Sequence, residues 1–405
     1  MFLRKTAHRE PIVLKIDAVD FYYLSMPEVT TDADGSQDAL LVRVTSGTHQ
    51  GWGECEASPL TSIAAFVTPI SHGACRPVAD SVLGQRIDDV VDIERIAALV
   101  ERHSMDLLQA AHTWSGIEIA LWDLLGKIRG EPVWRLLGFK RAGKKLPYAS
   151  MLFGDDPEET FIRVKKASSD GFRAVKVGWG PIGQGRVEVD GQHFMAARQA
   201  LGPDGQLMVD VGQVWREDVS AAQLRLPALE AAKVVWLEEP FLANAFGAYG
   251  ALARQSSQVR LAGGEGAHHA LLAESLIEFG RVGFIQIDCG RIGGIGPAKR
   301  VADYAAKRSV TYVNHTFTSH LALSASLQPY AGLMGHRICE YPAAPKSLAR
   351  DITTNHLLID QSGELSLPDA PGLGIDIDEG ALRRYRVDVE ILVNGRRLFN
   401  SPGRS

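Results

Sequence analysis

The fold of this chain is decided by seven short apolar runs: AVKVG (174–178), LMVDVG (207–212), VVWLEEP (234–240), LAGGEG (261–266), FIQIDCG (284–290), VTYVNH (310–315) and RICEYP (337–342). Each run has a polar or charged residue at or near its end, and the seven that we single out are Lys176, Asp210, Glu238, Glu265, Asp288, His315 and Glu340. Successive members are 23 to 34 residues apart, which is room for a strand, a helix and two loops. The pattern predicts a parallel barrel whose strand ends point reactive groups at one mouth.

Strands and helices alternate from residue 147, beginning with a predicted strand at 148–152 and a predicted helix at 157–169. The strands are nearly all apolar, as in a parallel sheet that is buried on both faces. Eight evenly recurring strands in roughly 195 residues favour a closed barrel over an open doubly wound sheet. No GxGxxG sequence opens a helix after the first strand, which disfavours a dinucleotide fold and a hydride-transfer enzyme.

Residues 1–140 predict a smaller α+β domain in front of the barrel. Strand composition is found at 12–24 and 39–45, and apolar residues recur at helical spacing in 88–104 and in 106–129, which should end near Gly130. A basic, glycine-bearing linker leads to the barrel domain at 147–345. The remaining segment, 346–405, reads as loops and a short strand that pack back on the first domain.

Two stretches of the first domain are candidates to cover the mouth. Residues 25–37 are acidic and turn-rich, and form either a solvated loop or a mobile lid. Residues 51–62 (GWGECEASPLTS) combine Trp52, Glu54 and Glu56 with glycines and a proline.

Composition excludes several classes of function. A net charge of −5 and a pI near 6.2 do not favour nucleic acid or an anionic membrane as partner. The first residues, which are charged and have no apolar run after them, predict no secretory signal, and we expect no bilayer-spanning segment because no apolar run is long enough. The cysteines form no CxxC pair, which predicts reduced thiols in a cytoplasmic protein; they are Cys55, Cys75, Cys289 and Cys339.

Three acids at the ends of successive predicted strands indicate a metal site. Asp210, Glu238 and Glu265 would converge, and three carboxylates cannot stay ionised in a partly dry cavity without a balancing cation. Hard oxygen ligands of total charge −3 favour Mg²⁺, with Mn²⁺ as the alternative.

The other strand ends carry groups suited to moving a proton. An aspartate beside a histidine fixes the tautomer and raises the basicity of the ring, so Asp288 and His315 form a candidate general base. Lys176 could bind a substrate carboxylate, pair with a metal ligand, act as a base, or simply extend to the surface. Glu340 is a candidate neutral acid or a partner for a cation. Together they suit removal of a proton next to a carboxylate, with the enediolate stabilised by the metal.

With these residues at its strand ends, the sequence resembles the mandelate racemase subgroup of the enolase superfamily. The matching segments span nearly the whole chain and include SGIEIALWDLLGK (115–127), GEPVWRLLG (130–138), GFRAVKVG (171–178), VDVGQVW (209–215), WLEEPF (236–241), GGEG (263–266), IDCGRIGGI (287–295) and VNHTFTSHLALSASLQP (313–329). The resemblance implies a modified (β/α)₇β barrel with an N-terminal capping domain that the C-terminal segment completes. It also implies Mg²⁺ on the three acids, His315 as a base oriented by Asp288, Glu340 donating to the substrate carboxylate, and a homo-oligomer.

One departure from the subgroup pattern narrows the expected reaction. Members often carry Lys-x-Lys at the second strand, with the second lysine as a base on the opposite face; here Gly178 takes that place, two residues after Lys176. The leading hypothesis is therefore one-base syn dehydration of a sugar acid to a 2-keto-3-deoxy acid. A lactone cycloisomerase is the alternative, a racemase or epimerase is less favoured, and a non-catalytic metal-binding scaffold is the hypothesis from another class. Arg186 or Gln184 is a candidate to fill the place of the missing lysine.

Overall fold

The computed structural model describes residues 14–31, 34–56, 58–256 and 258–403. The chain begins with a three-stranded antiparallel sheet in the order β1–β2–β3. Its strands are β1 (Ala18–Ser25), β2 (Asp38–Ser46) and β3 (His49–Cys55), and a short 3₁₀ helix, Gly35–Gln37, precedes β2. The predicted strand at 12–24 starts later than expected, because Lys15 and Ile16 pair with the segment around Gln85 and Arg86. Residues 12 and 13 lie outside the described residues.

Five helices complete the cap. They are α1 (Pro59–Val67), α2 (Ala79–Val82), α3 (Val90–His103), α4 (Ala110–Arg129) and α5 (Val133–Leu136). Helix α3 begins at Val90 because Asp89 and Asp92 form a capping box. Helix α4 ends as predicted at Gly130, whose φ of +68° is the left-handed geometry that glycine adopts freely.

The predicted barrel is present as eight parallel strands in the order β10–β9–β8–β7–β6–β5–β4–β11. The strands are β4 (Leu146–Leu152), β5 (Ala174–Gly178), β6 (Gln206–Asp210), β7 (Val234–Glu238), β8 (Arg260–Gly263), β9 (Phe284–Ile287), β10 (Thr311–Asn314) and β11 (Ile338–Tyr341). The two edge strands are joined by the side chain of Asn314, which accepts from the Glu340 amide (3.0 Å) and donates to the Glu340 carbonyl (3.2 Å). The sheet is thus nearly closed.

One buried residue from each strand fills the barrel interior: Tyr148, Ala174, Met208, Trp236, Ala262, Phe284, Val313 and Ile338. Alternate residues of a strand point to the same face, so the next inward position lies two residues later and closer to the mouth. In five of the strands that position is a predicted site residue: Lys176, Asp210, Glu238, His315 and Glu340. The apolar layer therefore forms the floor of the site.

Helices follow the strands on the outside of the barrel, and a second 3₁₀ helix, Gln328–Tyr330, follows the last of them. These helices are α6 (Pro157–Ser169), α7 (Val187–Leu201), α8 (Val219–Gln223), α9 (Leu226–Ala231), α10 (Phe246–Ala253), α11 (Ala270–Glu278), α12 (Ile295–Lys307) and α13 (His320–Leu327). None of the helices in the described ranges is long and apolar enough to cross a membrane.

The C-terminal segment contains α14 (Ser347–Asp351), α15 (Glu379–Tyr385) and the antiparallel hairpin of β12 (Glu390–Val393) and β13 (Arg396–Asn400). It contacts the cap through backbone bonds from Val387 to Tyr23 (2.8 Å) and from Val133 to Gly372 (3.0 Å). The α/β barrel with an α+β cap is confirmed. The short strand expected in the tail is present as β12, whereas its partner β13 and the helices α14 and α15 were not predicted.

Candidate active site

All seven predicted site residues lie at the carboxyl end of the barrel. Lys176, Asp210, Glu238 and Glu340 belong to the last residues of their strands, whereas Glu265, Asp288 and His315 follow theirs directly or by two residues. The structure brings them into one cluster, in which the side chains of Lys176, Glu238 and Glu340 are almost fully buried. Parallel strand order alone accounts for this convergence.

His315 is held between two carboxylates. Its Nδ1 lies 2.7 Å from Asp288 Oδ2, and its Nε2 lies 3.0 Å from Glu265 Oε2. Burial acts to lower the pKa of His315, but Glu265 and Asp288 outweigh it and hold the pKa well above its usual range. Asp288 thus contacts Nδ1, the nitrogen through which it would orient the imidazole, and Nε2 is paired with Glu265.

Lys176 pairs with three carboxylates in the mouth. Its Nζ lies 2.6 Å from Glu238, 3.0 Å from Glu340 and 3.6 Å from Asp210. Burial acts to lower the pKa of Lys176, but Glu238 and Glu340 raise it well above its usual range. Of the roles left open by the sequence, a surface lysine is excluded, and the geometry favours a fixed positive charge.

Glu340 contacts both Lys176 and the residue that follows His315. One carboxylate oxygen is the partner of Lys176, and the other accepts a 2.7 Å hydrogen bond from the amide of Thr316, next to His315. Because the Asn314 side chain also binds the Glu340 backbone, the Glu340 carboxylate has a defined position where β10 and β11 meet.

The three predicted metal ligands have the chemistry of a divalent cation site. Burial, and then the neighbouring Glu238 carboxylate, raise the pKa of Asp210 to about 8, and burial raises the pKa of Glu238 as well. At Asp210 and Glu238 these shifts indicate more acid than Lys176 balances, which fits a site for a hard divalent cation. At Glu265 burial is outweighed by His315 and Arg291, which hold its pKa below its usual range. Within the described residues no three side chains already form a metal cluster, since Glu265 is paired with His315 and Arg291.

Sequence reasoning missed Arg291, which joins barrel and cap at the mouth. Its guanidinium lies 3.1 Å from Glu265, 3.5 Å from Glu56 and 3.8 Å from Asp288. Burial acts to lower the pKa of Arg291, but Asp288 and Glu265 raise it above its usual range. The signal was present in IDCGRIGGI, where an arginine follows the base-orienting aspartate by three residues.

The two predicted covering stretches both reach the mouth, but in different forms. Gly35 and Ser36 of the first line the mouth cavity, while residues 32 and 33 of it lie outside the described residues. The second is largely not a loop, because its first residues belong to β3 and pair with β2. Glu54 and Glu56 project from its end and are buried beside Asp288, and burial raises the pKa of Glu54 to about 7.

The mouth opens into a cavity of about 840 Å³. Lys176, Gly178, Trp179, His315 and Phe317 are among its lining residues. Arg186 and Gln184 do not line it: the Arg186 side chain is largely exposed and pairs with Glu188, and Gln184 binds the Gly180 carbonyl. The place of the missing second lysine is therefore not filled by either.

Comparison with known proteins identifies the family. Residues 24–138 match the description "Mandelate racemase / muconate lactonizing enzyme, N-terminal domain", and residues 162–381 match "Enolase C-terminal domain-like". The chain belongs to the mandelate racemase/muconate lactonizing enzyme family. It is thus a member of the enolase superfamily, as the motifs predicted, and members of this family generally use Mg²⁺.

Relatives of this family member catalyse two kinds of reaction. The chain is 29% identical to a D-galactarolactone cycloisomerase of Agrobacterium fabrum, over 83% of this chain and 88% of the relative. It is 30% identical to an L-talarate/galactarate dehydratase of Salmonella typhimurium, over 79% of this chain and 76% of the relative. A crystal structure described as a "predicted Mandelate racemase" from Rhodobacter sphaeroides is 64% identical, with a TM-score of 0.93, and covers 96% of this chain and 100% of its own. Sugar-acid dehydratases and cycloisomerases are thus the related enzymes.

Proposed function

We propose that this protein is a sugar-acid dehydratase that removes the proton alpha to a carboxylate and then eliminates the β-hydroxyl. The observation that carries the proposal is the single oriented base, His315 held by Asp288 at 2.7 Å, facing a mouth in which Gly178 supplies no opposing base. The substrate class is an aldonate or aldarate, and the product is a 2-keto-3-deoxy acid.

Asp210, Glu238 and Glu265 are the residues that would hold Mg²⁺, with Mn²⁺ as the alternative. Bound there, the cation would stabilise the negative charge that develops on the substrate carboxylate as the enediolate forms. Lys176 adds a fixed positive charge beside Glu238 and Asp210. We assign to Glu340, which is among the residues that line the mouth cavity, the contact with the substrate carboxylate.

Proton movement is assigned to His315 alone. In the reacting state Nε2 has released to solvent the proton that faces Glu265, so that its lone pair can take the α-proton. Asp288 accepts the hydrogen bond from Nδ1–H and stabilises the imidazolium that forms. The same Nε2 then returns that proton to the β-hydroxyl as the β C–O bond breaks, and water leaves. The enol that remains becomes the 2-keto-3-deoxy acid by losing its hydroxyl proton and gaining one at the β-carbon. Removal and return on one face of the substrate make this a syn elimination.

Racemisation is disfavoured by the geometry on the opposite face. A racemase of the two-base kind needs a second group on the other side of the α-carbon, and Gly178 occupies the position where that lysine stands in the subgroup. A side chain added at Gly178 would begin 3.1 Å from Asp210 Cβ, so the position is also narrow.

A lactone cycloisomerase is the second candidate, because the match to the D-galactarolactone cycloisomerase extends over most of both chains. The same base would remove the α-proton and the ring oxygen would leave, so no water is lost. The dehydratase product is therefore one water lighter than its substrate, whereas the cycloisomerase product has the same mass as its substrate.

The test is a panel of aldonates, aldarates and their lactones with Mg²⁺, followed by product NMR in D₂O. We expect a 2-keto product from at least one acid, and its loss in His315→Asn. His49→Asn, an exposed histidine of the cap hairpin, serves as the control and should keep full activity. Metal binding without α-proton exchange for any acid would instead indicate a non-catalytic scaffold. Sedimentation of the same protein tests the homo-oligomer that the family resemblance implies.

A further inference from the structure

We propose that Trp179 is a substrate-binding residue whose indole packs against the C–H face of the substrate's carbon skeleton, across the mouth from His315. The inference rests on the proposed function and adds to it the residue that recognises the carbon skeleton. It concerns a side chain that neither the catalytic nor the metal-binding cluster uses.

Trp179 has a conformation that folding alone does not favour. It follows β5 directly, its φ is +56°, and 47% of its surface is exposed. Bulky residues rarely adopt left-handed backbone geometry, and a large exposed indole is not stabilised by core packing. Strained residues of this kind concentrate at functional sites.

The surrounding glycines hold the indole in place at the rim. The Trp179 amide donates a 3.0 Å hydrogen bond to the Asp210 carbonyl at the end of β6. A Cβ on Gly212 would lie 2.8 Å from the indole Cε2, so the ring packs directly on the glycine backbone. The indole is therefore fixed over the end of β6 with part of its surface open to the mouth cavity.

The sheet order places the indole opposite the base. Strand β6 is four strands from β10, which carries His315, in an eight-stranded barrel, and both Trp179 and His315 line the same cavity. Gly178 leaves the space beside the indole free of a side chain. A substrate whose α-proton points to His315 thus presents its other face to Trp179.

The Trp179 indole suits one kind of substrate group. An indole offers a large, rigid apolar surface with a weakly negative π face, which attracts C–H groups and does not replace water at hydroxyls. Sugar acids carry C–H groups on one side of a ring or a folded chain, while acidic and basic groups elsewhere in the mouth suit their hydroxyls and carboxylate. Both an open-chain acid and a lactone can present such a face, and the experiment separates them.

Binding is measured by calorimetry with the Mg²⁺-loaded His315→Asn protein, with and without Trp179→Ala or Trp179→Phe. The probes are galactarate, D-galactonate and D-gluconate as open chains and D-galactarolactone as the ring. We expect Trp179→Ala to weaken binding about tenfold for the form that stacks on the indole, and Trp179→Phe to weaken it less. Phe279→Ala removes an exposed aromatic ring on another face and should leave affinity unchanged.

Kinetics in the protein with His315 intact separate a binding role from a structural one. Trp179→Ala should raise KM about tenfold with kcat within about threefold, while Mg²⁺ affinity is unchanged because the Trp179 amide still binds Asp210. If adding Trp179→Ala to the His315→Asn protein changes the affinity for every bound probe by less than twofold, the inference is overturned and the proposed function stands. If the His315→Asn protein binds none of the four probes, the inference is rejected, and the panel of acids and lactones then decides the proposed function separately.

Discussion

Glu118 of the cap accepts a 2.7 Å hydrogen bond from the backbone amide of Ile295, the first residue of barrel helix α12. The same carboxylate accepts from the Gly296 amide (2.8 Å) and from Trp122 Nε1 (2.7 Å). A Cβ on Gly294 would overlap the Glu118 carboxylate, so the cap helix and the barrel approach too closely for any side chain there. A cap carboxylate thus supplies the N-terminal partner of a barrel helix, whose first amides have none within the helix.

Glu118→Ala should lower the free energy of unfolding by about 2–4 kcal/mol, because buried amides of α12 lose their acceptor. Urea unfolding measures the change. Glu188→Ala, in an exposed ion pair, is the control and should leave the free energy of unfolding almost unchanged. Equal losses in the two variants would contradict the role assigned to Glu118.

Replacing Asp210 tests the metal site without measuring turnover. In the parent, Mg²⁺ at a hundredfold excess over its Kd should add about 2.7 kcal/mol to the free energy of unfolding. Asp210→Asn should remove that gain and make the protein in EDTA no less stable, since it relieves repulsion among buried carboxylates. The exposed Asp204→Asn should keep the full response to Mg²⁺. An undiminished response in Asp210→Asn would exclude this aspartate as a ligand.

Gly35 determines how closely the cap covers the base. A Cβ at Gly35 would lie 2.0 Å from Phe317 Cε2, and the Phe317 ring is 5.1 Å from that of His315. Gly35→Ala should displace Phe317 and lower kcat/KM about tenfold, and adding Phe317→Leu should restore part of the loss. Steady-state kinetics measure both effects. Gly247→Ala adds a methyl group to open space on α10 and should have no effect, and the prediction fails if Gly35→Ala is equally silent.

Lys145 should make stability depend on alkaline pH. It is buried below β4, where Nζ donates to the carbonyls of Tyr330 (2.8 Å) and His336 (2.9 Å), and burial lowers its pKa to about 7. Because the ordinary value is near 10.5, the unfolded chain holds this proton between pH 7 and 10 while the folded protein has released it. Stability therefore rises with pH in that window.

The parent should gain about 2 kcal/mol relative to Lys145→Met between pH 7 and pH 9, measured by urea unfolding at both values. The neighbouring Lys144 is exposed, and its hydrogen bond to Asp360 raises its pKa. Lys144→Met should consequently leave the slope unchanged. A parallel pH dependence of the parent and Lys145→Met would show that Lys145 does not titrate in this range.

The hairpin at the C-terminus shows a local signal that sequence reasoning overlooked. Asn394 and Gly395 both have positive φ, and Asn-Gly between two strand-forming runs is a strong hairpin pattern. The barrel, by contrast, was predictable because inward side chains recur every second residue and each strand ends on one polar group. Helix α6 and strand β5 consequently lie at the predicted residues.

The sequence by itself determined the barrel, the cap and the seven polar strand ends, since spacing and alternation are properties of the linear chain. Only the tertiary structure decided how those groups pair: Lys176 among three carboxylates, Arg291 between Glu265 and Glu56, and Trp179 on Gly212. These contacts join residues from different strands or from cap and barrel. Their distances depend on how closely the backbones approach, and that is set by packing rather than by order along the chain.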